Sequence, residues 1–112
     1  MSSEFRLQSQ CFVYHWNNYQ AERGLLFAVN NNSNNSYQGA VMKGMGVVAG
    51  VADMLYLSPS GLIALEFKTE TGRQNVAQKI WQMQVEAAGY KYHIVRSLDD
   101  FLKAINKPTT NQ

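Results

Sequence analysis

Residues 50–68 constrain the fold more than any other stretch. Two apolar runs, Gly50-Val51-Ala52-Asp53-Met54-Leu55-Tyr56-Leu57 and Leu62-Ile63-Ala64-Leu65-Glu66-Phe67-Lys68, flank Ser58-Pro59-Ser60-Gly61, which is turn chemistry. With those four residues as the loop, Leu57 pairs with Leu62. Alternation then puts Met54, Tyr56, Ile63, Leu65 and Phe67 on one face, and Leu55, Leu57, Leu62 and Ala64 on the other. A strand pair apolar on both faces has to be covered on both. That selects a central sheet in an α/β domain over a meander with one wet face.

The rest of the chain supplies the cover. Phe5, Phe12, Trp16 and Tyr19 recur at helical steps over 4–19, with Ser2 or Ser3 as N-cap. Residues 25–29 read as a short buried strand, 30–36 as an asparagine-rich loop and 37–43 as a glycine-diluted helix. Asn75 with Gln78 forms a capping-box pattern, opening a helix whose expected buried stripe is Ala77, Ile80, Trp81, Val85 and Ala88. Residues 90–96 read as a strand, and Ser97 caps a last helix built on Leu98, Phe101, Leu102 and Ile105. The order is α-β-(α)-β-β-α-β-α, a mixed central sheet flanked by helices. It forms one domain over 1–107 with a flexible C-terminal tail over 108–112.

Composition narrows the class. At 112 residues, with 46% hydrophobic and 16% charged residues, the chain is globular, and one domain of this size buries roughly two-thirds of its unfolded surface. A net charge of +2 permits a nucleic-acid partner without requiring one. The single cysteine, Cys11, excludes an internal disulfide and a cysteine-rich zinc site and reads as a small buried hydrophobe. His15 and His93 read as a helix-surface residue and a satisfied strand residue. Nothing approaches a membrane span of about 18 apolar residues. These features fit a cytoplasmic protein.

The hairpin also carries charge where apolar strands end. Counting back from Leu57 and Leu62 puts Asp53 opposite Glu66, with Lys68 on the face of Glu66. Carboxylates facing each other across a ladder repel. A divalent cation held by oxygen ligands would neutralise them, while an ordinary strand end with solvated charges has the same spacing. Spacing alone leaves both open.

The ordered set Lys43-Gly44-Met45-Gly46, Gly50-Val51-Ala52-Asp53, Glu66-Phe67-Lys68-Thr69, Gly72-Arg73, Gln78 with Trp81, Gly89-Tyr90 and Val95-Arg96-Ser97 resembles the VRR-NUC family of the PD-(D/E)XK nuclease superfamily. These motifs extend over roughly two-thirds of the chain, and Glu4 and Trp16 suit the family's first helix. One departure is Ala52, where the family usually has proline before the aspartate. The resemblance implies a PD-(D/E)XK nuclease-like core and Mg²⁺-dependent endonucleolytic cleavage of DNA, with Mn²⁺ able to substitute. It also implies a bacterial or bacteriophage type of protein, branched substrates such as four-way (Holliday) junctions, and a homodimer. Asp53, Glu66, Lys68 and Gln78 become the expected catalytic residues. Asp53, Glu66 and the Phe67 carbonyl become the expected metal ligands, with Glu4 as an additional carboxylate.

Each residue also has an ordinary reading. Lys68 could be a snorkelling lysine, Glu4 a first-turn glutamate favoured by the helix dipole, Gln78 a capping residue, and Trp81 core. Lys43, Arg73, Lys79 and Arg96 could meet DNA phosphates or be solvated charges. Two other classes stay open: a sequence-specific restriction-type endonuclease, and an inactive nuclease-fold DNA-binding or interaction module.

Overall fold

The computed structural model describes residues 3–29 and 36–110, with side chains except those of residues 36–38. The expected cap Ser2, residues 30–35 of the asparagine-rich stretch, and residues 111–112 lie outside the described residues. Four strands form one sheet in the order β1 (Leu26–Ala28), β2 (Met54–Ser58), β3 (Gly61–Phe67), β4 (Lys91–Val95). β1–β2 and β2–β3 are antiparallel and β3–β4 is parallel. A parallel neighbour needs a crossover, which α3 (Val76–Ala87) provides; α1 (Ser3–Asn18), α2 (Ser36–Gly44) and α4 (Leu98–Ala104) complete the fold. The element order is the expected one.

Leu57 pairs with Leu62, as the turn chemistry requires, and Ser58 pairs with Gly61 so that only Pro59 and Ser60 remain in the loop. Both faces of the hairpin are covered. Met54, Tyr56, Ile63, Leu65 and Phe67 pack with Cys11, Val95, Phe101, Leu102 and Ile105 on the side of α1 and α4. Ala64, Leu55 and Leu62 pack with Val85, Trp81, Tyr92 and Ile94 on the side of α3. Leu57, at the hairpin tip, is exposed.

Two helices turn a different side inward than their apolar spacing suggests. In α1 the buried residues are Cys11 and His15, while Phe5 and Trp16 are 55% and 41% exposed. His15 is therefore core and not helix surface. Its ring can be buried because Nε2 meets Glu22 Oε1 at 2.9 Å, which satisfies a polar group removed from water. Glu22 also accepts the Tyr56 hydroxyl at 2.7 Å and Lys107 Nζ at 2.6 Å. One side chain thereby joins α1, β2 and the segment after α4. In α3 only Val85 of the expected stripe is fully buried; Trp81 is half-buried, and Ile80 faces out with Val76 and Met83. The reason lies in the sheet beneath. The end of β3 presents Glu66 and Lys68 to this helix, so its first turns send Gln78 inward in place of an apolar side chain.

At the other end, Ser97 Oγ accepts the Asp100 amide at 3.0 Å and caps α4. Beyond it the chain turns back toward the first turn of α4. Thr110 donates to Asp99 Oδ1 through its amide at 3.0 Å and its hydroxyl at 2.8 Å.

Candidate active site

The site is assembled where β2 begins and β3 ends. The register that pairs Met54 with Leu65 sets Asp53 opposite Glu66 as its next step. Alternation turns Asp53, Glu66 and Lys68 to the α3 side, away from the larger core. The segment entering β2 is pressed against the start of α3. Gly50 has φ +84°, and a Cβ there would sit 2.4 Å from the Ala77 carbonyl oxygen, so only glycine fits. This close approach brings the chain leading to Asp53 against the helix that carries Gln78.

Glu66 is the centre of the arrangement. It is 1% exposed. Gln78 Nε2 donates to its Oε2 at 2.8 Å, and Lys68 Nζ lies 3.6 Å from the same oxygen. Burial, and then repulsion from Asp53, push the Glu66 carboxyl up to about 7 against the pull of Lys68. The Asp53 carboxyl is also raised, by burial first and by Glu4 in addition, although the Phe67 amide and Lys68 favour its charged form. That amide donates to Asp53 Oδ2 at 2.7 Å, which turns this edge of Phe67 toward Asp53. Lys68 is itself 8% exposed. Its amine is buried beside the Glu66 carboxylate and does not snorkel to the solvent.

Gln78 performs both roles that its position allows. Its backbone amide donates to Asn75 Oδ1 and its Oε1 accepts the Asn75 amide, both at 2.9 Å, completing the capping box. The free end of the same amide reaches Glu66. Glu4, half-buried in the first turn of α1, comes close enough to raise Asp53. It does not join a ligand cluster: among the described residues no three His, Cys, Asp or Glu side chains are grouped to hold a metal ion. The donor set still suits a hard cation. Mg²⁺ is usually held by one or two carboxylates, with waters and substrate phosphate completing its shell, and the buried Glu66 and half-buried Asp53 carboxylates, which repel each other, match that requirement.

The basic residues divide. Lys43, Arg73 and Lys79 are exposed. Arg96 instead uses Nη1 to hold the loop between β3 and α3, donating to the carbonyls of Thr69, Glu70 and Gly72 at 2.6, 3.3 and 2.8 Å. It thereby fixes the loop that carries Arg73. Sequence reasoning missed Tyr92, Gln74 and Gln82, which line the far side of Glu66. Gln74 Nε2 donates to the Tyr92 hydroxyl at 3.1 Å and to Gln82 Oε1 at 2.9 Å. The alternation of β4 puts Tyr92 on the Ala64 side of the sheet, a signal that the sequence did contain.

A solved structure described as a VRR_NUC domain protein shares this fold with a TM-score of 0.71 at 19% identity, covering 95% of this chain and 87% of that one. No protein-family model and no curated protein matches the chain. The fold is thus of the VRR-NUC type that the sequence motifs resemble, and Asp53, Glu66 and Lys68 occupy one face at the mouth of its hairpin.

Proposed function

We propose, taking the VRR-NUC fold as premise, that this chain is a metal-dependent endonuclease that hydrolyses phosphodiester bonds in DNA. We propose branched DNA, four-way junctions included, as its preferred substrate. The observation that carries the reading is the grouping of Asp53, Glu66, Lys68 and Gln78 on the α3 side of the sheet. Asp53 and Glu66, with the Phe67 carbonyl, would hold Mg²⁺ or Mn²⁺, and Glu4 would act from the rim through water. The bound cation would supply positive charge to the phosphate in the transition state and lower the pKa of an attacking water.

The protein's own groups account for the rest. Lys68, held 3.6 Å from Glu66 Oε2, stands where it can orient the attacking water, take its proton or hold a phosphate oxygen. Gln78 fixes the Glu66 carboxylate from the helix side. Lys43, Arg73 and Lys79 would meet phosphates of the flanking strands, and Arg96 serves indirectly by holding the loop of Arg73.

Asp53→Asn is the cleanest test, because asparagine can still accept the Phe67 amide that alanine would leave unpaired. With Mg²⁺ present, Asp53→Asn should lower cleavage of a labelled four-way junction by on the order of a hundredfold or more, with its melting temperature in EDTA no lower than that of the parent. Undiminished cleavage by a pure preparation would refute the assignment.

A further inference from the structure

Glu66 is gripped on both oxygens, and one of the two grips has no part in the mechanism above. Oε2 faces Gln78 and Lys68, while Oε1 lies 3.4 Å from the Tyr92 hydroxyl. Tyr92 is 7% exposed, so its hydroxyl has to find partners within the protein. Gln74 Nε2 donates to it at 3.1 Å, which occupies the oxygen as an acceptor. The hydroxyl proton is left to donate, and the acceptor within reach is Glu66 Oε1. Gln82 fixes the amide of Gln74 in turn, accepting from Nε2 at 2.9 Å. The ring cannot drift, because it sits in β4 in register with Ala64 and packs on Trp81 with centroids 6.0 Å apart.

We propose that Tyr92, oriented by Gln74 and Gln82, is a positioning residue that sets the rotation of the Glu66 carboxylate and so the site's affinity for a divalent cation. The proposal rests on the metal-site reading of Asp53 and Glu66. A carboxylate held at one oxygen can swing about its last torsion. Held at Oε2 by Gln78 and at Oε1 by Tyr92, it keeps one plane and presents its remaining lone pairs in a fixed direction. Partners of metal ligands typically contribute about 10- to 100-fold in affinity or activity. The 3.4 Å separation places Tyr92 near the lower end of that range, about tenfold.

The test is Mn²⁺ binding by titration calorimetry on the full chain. Tyr92→Phe removes the hydroxyl and keeps the ring on Trp81; Gln74→Ala removes the group that orients it and leaves Tyr92 in place. Tyr92→Phe should bind Mn²⁺ about tenfold more weakly and Gln74→Ala by a smaller factor. Raised Mn²⁺ should restore cleavage by Tyr92→Phe, which a structural defect would not permit. An unchanged Mn²⁺ constant in both variants overturns the positioning role while the metal site stands. A constant that Glu66→Gln also leaves unchanged overturns both.

Discussion

At the scale of single residues, the site stores an electrostatic conflict that pH should expose. The Glu66 carboxyl is pushed up to about 7 by burial and by Asp53. Between its ordinary value and about 7 the folded state therefore holds a proton that the unfolded chain has released. Stability linked to this group falls as pH rises through that window. At 1.36 kcal/mol per unit the effect is at most about 3 kcal/mol. Two other groups have the opposite sign. The His93 imidazole is held below its usual value by burial and Lys91, so it loses stability as pH falls below its ordinary range. Glu22 is lowered to about 2: burial opposes the shift, but hydrogen bonds from Lys107, Tyr56 and His15 outweigh it. Its contribution is lost only as pH falls below the usual glutamate range. The metal-free parent and Glu66→Gln should therefore diverge between pH 5 and pH 7.5. The difference in melting temperature, variant minus parent, should grow with pH in EDTA and shrink when saturating Mg²⁺ is added. A difference independent of pH would show that Glu66 is not under this strain.

Elements explain why some of this was legible in the sequence and some was not. The hairpin register follows from turn chemistry that lies in one contiguous stretch, so Asp53 and Glu66 could be paired by counting. The capping box of α3 was equally local, a matter of Asn75 and Gln78 three positions apart. The buried side of α1 was not legible, because it depends on Glu22 lying near His15 and on Tyr56 arriving from β2, contacts that spacing does not encode. Large aromatic residues misled for the same reason: Phe5 and Trp16 have the size of core residues, but the interior had already been filled from the sheet. The inward side of α3 failed through a similar dependence, since a helix lying over a polar site needs polar residues inward. Asn75→Ala should destabilise the domain by about 1 kcal/mol through the lost cap, read as a shift of the urea midpoint, and should also lower cleavage because Gln78 loses its anchor. Glu22→Ala leaves His15 and the Tyr56 hydroxyl without their acceptor, and should lower stability by about 2 kcal/mol with Mn²⁺ affinity unchanged. A milder effect than the cap would mean that the hub is not what fastens α1 to the sheet.

At one side of the whole molecule, the described residues leave an edge and a groove open next to each other. Among the described residues, β1 is a three-residue edge strand paired only to β2. An open edge is a template for another strand. Beside it runs a groove of about 460 Å³ between α1 and the sheet, lined by Phe12, Trp16, Leu26 and Phe27 among others. Trp16 and Phe27 are 41% and 38% exposed, and Leu25 beside them 38%. A twofold pairing of two β1 edges would extend the sheet across the dimer, cover both grooves with identical surfaces and carry two sites in fixed relation. Paired sites are what symmetric cleavage of a junction needs. Light scattering at micromolar concentration should accordingly give a homodimer. Phe27→Asp, which puts a charge on the edge and touches none of the site residues, should give a monomer. That monomer should retain nicking of linear duplex and lose the preference for paired cuts on opposing junction arms. A wild-type chain that is monomeric and cuts linear DNA as readily as junctions would remove the junction preference and the dimer together, and would leave the hydrolytic site to be judged by Asp53→Asn alone.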